Sequence, residues 1–517
     1  MTVQPLQGRK ILVTAYDLEQ SEHRGIAVYS KSLMRCLHEA GAEVWLLTEF
    51  FDKLSEKGLN RLPKSTKAMI HNARILNSLA LGRRERPTTV LQRKFKLARK
   101  VKQWGNYLWL IVNLLRRPRK YRARDLNGFQ LQELYDNPYV RIERLDYLES
   151  VTGIVSAPEL YLATQLAAQL PNLRPVCIDL RGFDALVTTC PLNIKPRNLP
   201  TFVQTIHDLI PLEYVAHNED PLMFSHRLQA CMPARRLFVS QVTANKYKAH
   251  IQNTHRSPQN HPTRQHIHQG DNPQEAVIIQ SPSLHFPSWL TEDPDRIADL
   301  KPVSHLLRDQ SKTAPHQANN KSKTRTGISL TPFRYFLFNS SVEARKNLLF
   351  LAKAYAESNL SKKGIKLCVT GKLKQDDYSK ALEEVVAHEP GIILTGYVDE
   401  SSKLDLYLNA LGLLSPSLVE GFGIPVLDSA CLGMPTIASD CESHLEIQGL
   451  HDFIEHVLCL DTLNSREWAA ALNAVAGSNR HLADQETCTR RERIGRYCQF
   501  QSKFTAQLQK DLTAILK

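Results

Sequence analysis

Apolar residues in this chain fall into short runs, separated by longer stretches in which they recur every three or four positions. The short runs predict strands and the spaced stretches predict helices. Lys10–Tyr16 (KILVTAY) is the first run. A polar loop, DLEQSEHRGIA, then leads into a helical pattern from Val28 to Glu39 that Gly41 closes, and Glu43–Thr48 predicts a second strand. Further strands are predicted at Ala185–Thr189, Phe202–Asp208, Arg236–Ser240 and Ala276–Ser281. From Tyr335 the alternation becomes strict. Strands at Tyr335 (YFLFNSS), Ile365–Gly371, Ile392–Val398, LGLLSPS and PTIAS are separated by helical patterns at Asn347–Asn359, Asp376–Glu389, Ser401–Ala410 and after Gly423. Such alternation predicts parallel sheets covered by helices on both faces. Ligands of such sheets sit at the carboxyl ends of the strands.

Two stretches break the pattern. His255–Pro273 and Arg308–Gly327 are rich in Gln, Asn, His, Lys, Ser and Pro, and read as disordered loops or insertions. A chain of 517 residues is expected to form two or more domains. The predicted division is an α/β domain over 1–288, with a basic amphipathic insertion at about 80–125 and a polar insertion at 253–274; a polar linker over 289–331; a second α/β domain over 332–484; and a terminal helical segment, 485–517. The ten cysteines form no CxxC pair and lie at no zinc-site spacing, which fits free thiols in a reducing, cytoplasmic compartment. The N-terminus is read as lacking a signal peptide, and no apolar run approaches the roughly 20 residues that cross a bilayer.

Charge separates the chain into two parts. Of its net +14, all falls between Arg83 and Arg124, where 15 Lys and Arg face one acid, Glu85. Within that segment Leu91, Phe95, Ala98, Val101, Trp104, Leu108, Ile111 and Leu115 follow one another at helical spacing, while Arg93, Lys94, Lys96, Lys100 and Gln103 occupy much of the rest. A basic amphipathic helix of this kind suits an anionic membrane surface. The plainer reading is a helix packed on the first sheet with a solvated basic face. Nucleic acid is not expected, because no recognised binding module accompanies the charge.

The stretch Ser415–Ile437, SPSLVEGFGIPVLDSACLGMPTI, holds Glu420 and Asp428 with a glycine-rich turn between them. A helix starting near Ile424–Pro425 has free N–H groups that favour an anion, and Gly421 and Gly423 let a phosphate approach the backbone. Carboxylates accept from sugar hydroxyls. An anion site between two acids therefore matches a sugar, a diphosphate and a ribose in sequence, as in a nucleotide sugar. The spacing gives no support to a glycosidase pair, since eight helical residues span about 12 Å whereas such pairs need about 5–9.5 Å. The plain alternative is a strand–turn–helix with two solvated acids. Arg345 and Lys346, in NSSVEARKN, follow the first strand of the same sheet and can neutralise a diphosphate without a metal. The DPD at Asp293–Asp295 reads as a proline turn rather than a metal site. His255, His261, His266 and His268 lie in a polar stretch that supplies no cysteine or acid at ligand spacing.

These motifs resemble the retaining glycosyltransferases of family 4. The resemblance is carried in order by NSSVEARKNLLFLAKAY, LCVTGK, TGYVDESSKLDLYLNA, SPSLVEGFGIPVLDSACLGMPTIAS and SHLEIQG, and more sparsely by RGIAVYSKSLMRCLHEAGAEV, FVQTIHDLIPLEY and LFVSQVTANKY. It implies the GT-B fold: two Rossmann-like doubly wound domains facing across a cleft, the last helix crossing back towards the first domain. It implies transfer of a hexosyl group from a nucleotide-diphosphate sugar to an acceptor hydroxyl, on a glycan or a lipid-linked acceptor, with retained configuration, no metal and no cofactor.

By the same resemblance Glu420 binds sugar hydroxyls, Asp428 the ribose, Lys346 and Arg345 the diphosphate, with Gly421, Phe422, Gly423 and Ile424 forming the donor turn. His207 faces the donor sugar and Gly25 lies in the first loop near the reaction centre. Two positions depart from the family. Asp428 stands where relatives carry Glu, and Ser340 where they carry Gly six positions before the lysine. The RKN form of the lysine motif resembles mannosyl- and rhamnosyl-type members. The alternatives are a GT-B sugar-nucleotide epimerase or phosphorylase-like enzyme, and a non-catalytic glycan- or membrane-binding member. Expected partners are the nucleotide sugar, the acceptor and an anionic membrane surface through 83–124, at the inner face of a membrane.

Overall fold

The computed structural model describes residues 4–20, 25–50, 62–82, 104–105, 108, 122–125, 145–169, 175–214, 219–256, 275–293, 296, 330–374, 376–396, 398–451 and 453–517. Most of the basic segment, both polar stretches beyond Arg256, and Pro294 and Asp295 of the DPD turn lie outside these residues. Residues 1–279 with 505–517 form one compact unit, and residues 280–504 form another.

In the first unit, eight strands form one sheet. They are β1 (Lys10–Thr14), β2 (Glu43–Thr48), β3 (Arg122–Asp125), β4 (Gly153–Ser156), then, after β5 (Val176–Asp179), β6 (Ala185–Thr188), and, after β7 (Ile194–Arg197), β8 (Thr201–Ile206), β9 (Arg235–Phe238) and β10 (Glu275–Val277). Their order is β10-β9-β8-β6-β1-β2-β4-β3, and β5 pairs with β7 in a separate ribbon. Every pairing is parallel except β3 with β4. The antiparallel strand falls inside the stretch read as a basic helical insertion. It sits at the sheet edge, where its arginines need no place in a two-sided core. The longer described helices are α1 (Gly25–Glu39), α2 (Lys64–Leu81), α3 (Leu160–Gln169), α4 (Pro221–Gln229) and α5 (Gln241–Arg256). Leu12, Leu47, Val155 and Leu186 from the strands pack on Tyr161 and Leu166 of α3. Ile206 and Phe238 pack on Phe224, Leu228 and Tyr247 of α4 and α5.

The second unit repeats the plan with six parallel strands: β11 (Tyr335–Asn339), β12 (Lys366–Thr370), β13 (Ile392–Gly396), β14 (Gly412–Ser415), β15 (Thr436–Ser439) and β16 (Val457–Leu460), in the order β13-β12-β11-β14-β15-β16. Helices α6 (Leu348–Ser358), α7 (Asp377–His388), α8 (Glu400–Asn409), α9 (Ile424–Cys431), α10 (Glu442–Gln448) and α11 (Ser465–Ser478) flank them. Trp468 of α11, fully buried, meets Phe350 of α6 edge-on at 5.6 Å. The last helix, α12 (Glu486–Leu516), belongs to the second unit up to Phe504 and to the first from Thr505. There Arg9 Nη1 donates to the Leu516 carbonyl at 2.7 Å.

These strand orders fix where ligands can be held. In each sheet the chain builds outward on one side, then returns to build on the other. The reversal falls between β1 and β6 in the first unit and between β11 and β14 in the second. Loops leaving the carboxyl ends of the two central strands diverge there and open a crevice. The pairs at issue are Ala15–Asp17 with Thr189–Pro191, and Ser340–Lys346 with Pro416–Gly423.

Candidate functional site

After β11 the chain makes one 3₁₀ turn, Ala344–Lys346, and passes through Asn347 at φ 55° before α6 begins. Asn is among the few residues that adopt this left-handed conformation readily. Gly371, at the end of β12, lies so close that a Cβ there would meet the Ser340 carbonyl at 1.9 Å. Only glycine allows β12 to support this loop. After β14, the segment 416–423 returns to Gly423 at φ 100°, and α9 starts at Ile424 with Pro425 in its first turn. Proline there removes an N–H that the helix could not have paired.

These two loops meet through charge. Lys346, 5% exposed, pairs its ammonium with Glu420 Oε1. Arg345 Nη1 lies 3.5 Å from Glu420 Oε2, and its Nε donates to Glu343 Oε2 at 3.0 Å. Lys374 Nζ completes the cluster, 2.7 Å from Glu343 Oε1. The backbones join as well, with Leu418 N donating to the Arg345 carbonyl at 2.8 Å. Ser417 Oγ donates to Glu420 Oε1 at 2.7 Å, and Ser443 Oγ to the Glu420 carbonyl at 2.8 Å.

Burial alone would raise the Glu420 carboxyl, but Lys346 and Arg345 outweigh it and hold it at about 2. Glu343 is held at about 2 against burial in the same way, by Lys374 and Arg345. Burial pulls the Lys346 ammonium down and Glu420 opposes that shift. Glu420 is thus ionised far below neutrality.

Gly421, Phe422, Gly423 and Ile424 form the turn beside this cluster, with Phe422 buried at 4%. Asp428 lies away from it. At 1% exposure it accepts from Ser283 N at 2.6 Å, from Ser283 Oγ, and from Tyr497 OH at 2.8 Å. Burial raises its pKa and these donors pull it back. Its oxygens are thus engaged by the chain itself.

In the first unit, the crevice between β1 and β6 holds a cavity of about 490 Å³, lined by Tyr16, Asp17, Cys190, His207, Glu219 and Arg227 among others. His207 Nε2 lies 2.8 Å from the Thr189 carbonyl, so that nitrogen carries the hydrogen. Burial pushes its pKa down to about 4, and the ring is neutral. Asp17 accepts from Thr189 Oγ1 at 2.7 Å, and burial lifts it to about 6. Arg227 donates Nε to the Pro191 carbonyl at 2.8 Å and pairs with Glu219. Gly25 heads α1 and is exposed; its neighbour Ile26 lines the cavity. Asp17 could have been found as the acid directly after the first strand. Arg227 and Glu343 gave no such signal. Among the described residues, no group of three His, Cys, Asp or Glu is placed to hold a metal.

Comparison with known proteins bears on the second unit. Residues 322–495 match the model of the family described as glycosyl transferases group 1. The chain is 32% identical over 117 residues to O-antigen chain mannosyltransferase B of Escherichia coli, which is 22% of this chain and 31% of that one. It therefore spans about a third of that relative. Two solved structures share the GT-B fold with it. Sucrose-phosphate synthase of Thermosynechococcus elongatus aligns with a TM-score of 0.50 at 13% identity, covering 97% of this chain and 98% of the other. TarM aligns at 0.50 and 10% identity, covering all of both chains. At these identities the likeness shows the fold alone.

The ion cluster predicts an acid limb in stability. A carboxyl held at about 2, against 4.5 unperturbed, stabilises fully above the unfolded value and loses that contribution as pH falls towards the folded one. Glu420→Gln leaves Lys346 buried without its charged partner. It is expected to cost about 3–5 kcal/mol at pH 7 and to flatten the loss between about pH 4.5 and 2. Urea midpoints across that range measure both effects.

Proposed function

We propose, for a chain whose residues 322–495 match the glycosyl transferases group 1 family, a retaining hexosyl transfer from a nucleotide-diphosphate sugar to a glycan or lipid-linked acceptor hydroxyl, without a metal. The observation that carries this reading is the meeting of Lys346, Arg345 and Glu420 beside the Gly421–Gly423 turn, at the switch point of the second sheet. Glu420 pairs with both cations. A diphosphate entering the turn replaces it on Lys346 and Arg345, and frees the carboxylate to accept from hydroxyls of the sugar.

The reaction breaks the bond between the anomeric carbon and the phosphate oxygen. The acceptor oxygen bonds to that carbon on the same face, and the acceptor proton passes to the departing phosphate. Two cations and the turn's N–H groups stabilise the charge that develops there, which removes the need for a metal. Asp428 holds α9 in place through Ser283 and Tyr497, and its Oδ2, which accepts one bond, keeps capacity for a ribose hydroxyl. The cavity of the first unit is read as a separate pocket for sugar hydroxyls. In it Asp17 offers a carboxylate, His207 is neutral, and Arg227 is engaged by Glu219 and Pro191. That environment suits uncharged hydroxyl-bearing rings.

The basic segment is proposed to hold the enzyme at an anionic membrane. Its charge supports this, as do Trp104 and Leu108, which are 69% and 54% exposed. No helix among the described residues is long and apolar enough to cross a membrane.

Two experiments test these proposals. A thermal-shift panel of nucleoside diphosphates and nucleotide sugars is expected to give stabilisation by at least one, and Lys346→Ala to lower transfer by about 10²-fold or more with the fold intact. No stabilisation by any of them, or retained transfer, contradicts the donor site. Flotation with anionic liposomes is expected for the intact chain and lost on replacing Arg93, Lys94, Lys96 and Lys100 with Gln. Undiminished flotation refutes the membrane role.

A further inference from the structure

The Gly421–Gly423 turn is supported from behind by two residues of α10. Ser443 Oγ donates to the carbonyls of Glu420 at 2.8 Å and Gly421 at 3.4 Å. His444, with no exposed surface, packs beneath the turn. A Cβ on Gly423 would fall 2.9 Å from His444 Cδ2 and 3.2 Å from its Nε2, so the ring occupies the space that the glycine leaves.

The ring is itself anchored at both ends. Nδ1 lies 3.1 Å from the Ser439 carbonyl, which can only accept, so Nδ1 carries a hydrogen. Nδ1 also lies 2.9 Å from Ser439 Oγ, whose own hydrogen goes to the Ser417 carbonyl. Nε2 lies 3.3 Å from Ser415 Oγ. Ser415 and Ser439 end the neighbouring strands β14 and β15. The imidazole thus joins two strand ends to the underside of the turn.

We infer that His444 is a positioning residue for the phosphate turn: its ring, tied to Ser415 and Ser439, fixes the height of Gly423, and Ser443 fixes the carbonyls just before it. This rests on the donor-site reading above. Any buried imidazole needs partners at both nitrogens; here those partners are the last residues of the two strands that flank the turn. Displacements of about 1 Å in a positioning element cost about 10²-fold in rate, so a residue that sets the turn acts on the phosphate while leaving the nucleoside contacts alone.

The test compares wild type, His444→Ala and His444→Asn, whose amide nitrogen overlies Nδ1. Calorimetric affinities for UDP, GDP, uridine and guanosine are measured with amide exchange over residues 420–424. His444→Ala is expected to bind the preferred diphosphate about tenfold more weakly while nucleoside affinity stays within about twofold. Exchange over 420–424 should rise about tenfold with the remainder of the second unit unchanged, and His444→Asn should restore part of both. Wild-type affinity and exchange in His444→Ala overturn the inference. So does equal loss of nucleoside and diphosphate with faster exchange throughout the unit, the signature of a merely structural role.

If wild type binds no nucleoside diphosphate, the donor-site reading fails, and exchange over 420–424 alone decides the positioning role. Should His444→Ala not fold, Ser415→Ala removes only the partner of Nε2 and is expected to give the same pattern at about threefold. Wild-type behaviour in that variant overturns the inference equally.

Discussion

Everything at the switch point of the second sheet depends on one buried ion pair, Lys346 with Glu420. It joins a loop after β11 to a loop after β14, 74 positions apart in the chain. Neither charge could stay buried alone, because an isolated ammonium or carboxylate out of water is strongly disfavoured. Arg345 and Ser417 complete the coordination of Glu420, and Lys374 balances Glu343 behind Arg345. A cluster of this composition is a poor way to gain stability compared with packed apolar residues. Under the proposed function its use is different: it keeps two cations desolvated at the place where a diphosphate would replace Glu420.

The turn that would receive that anion is held by contacts from several directions. Gly423 takes a backbone conformation open to glycine, and its missing side chain makes room for His444. Asp428, one turn into α9, ties that helix to Ser283 and to Tyr497 of the last helix. The rigid sheet thus supplies the placement and the loops supply the chemistry, the usual division in doubly wound folds.

Much of this was legible in the sequence. The strands of the second unit are two-sided apolar runs, so Tyr335–Asn339, Ile392–Gly396 and Thr436–Ser439 stand out against their polar flanks. Glu43–Thr48 is bounded on its N-terminal side by the Gly41 helix stop. That Lys346, Arg345 and Glu420 meet was legible from their places just after two strands of the same sheet. Less legible were β4, only four residues long, and β3, which carries arginine on an edge. The contacts of Asp428 could not be read locally. Its partners Ser283 and Tyr497 lie 145 and 69 positions away. His444 stood inside a quoted motif, but its role depends on Ser415, 29 positions earlier, and on a glycine with no side chain. His207 was singled out by resemblance alone, and its bond to the Thr189 carbonyl has no sequence signal.

The central claim is that the Lys346–Glu420 pair is the resting occupant of a diphosphate site. The most direct measurement is a crystal structure of the chain with its stabilising nucleoside diphosphate. The account predicts that Lys346 Nζ leaves Glu420 for a phosphate oxygen, with that phosphate against the Gly421–Gly423 backbone. An unbroken Lys346–Glu420 pair with the diphosphate bound elsewhere would contradict it.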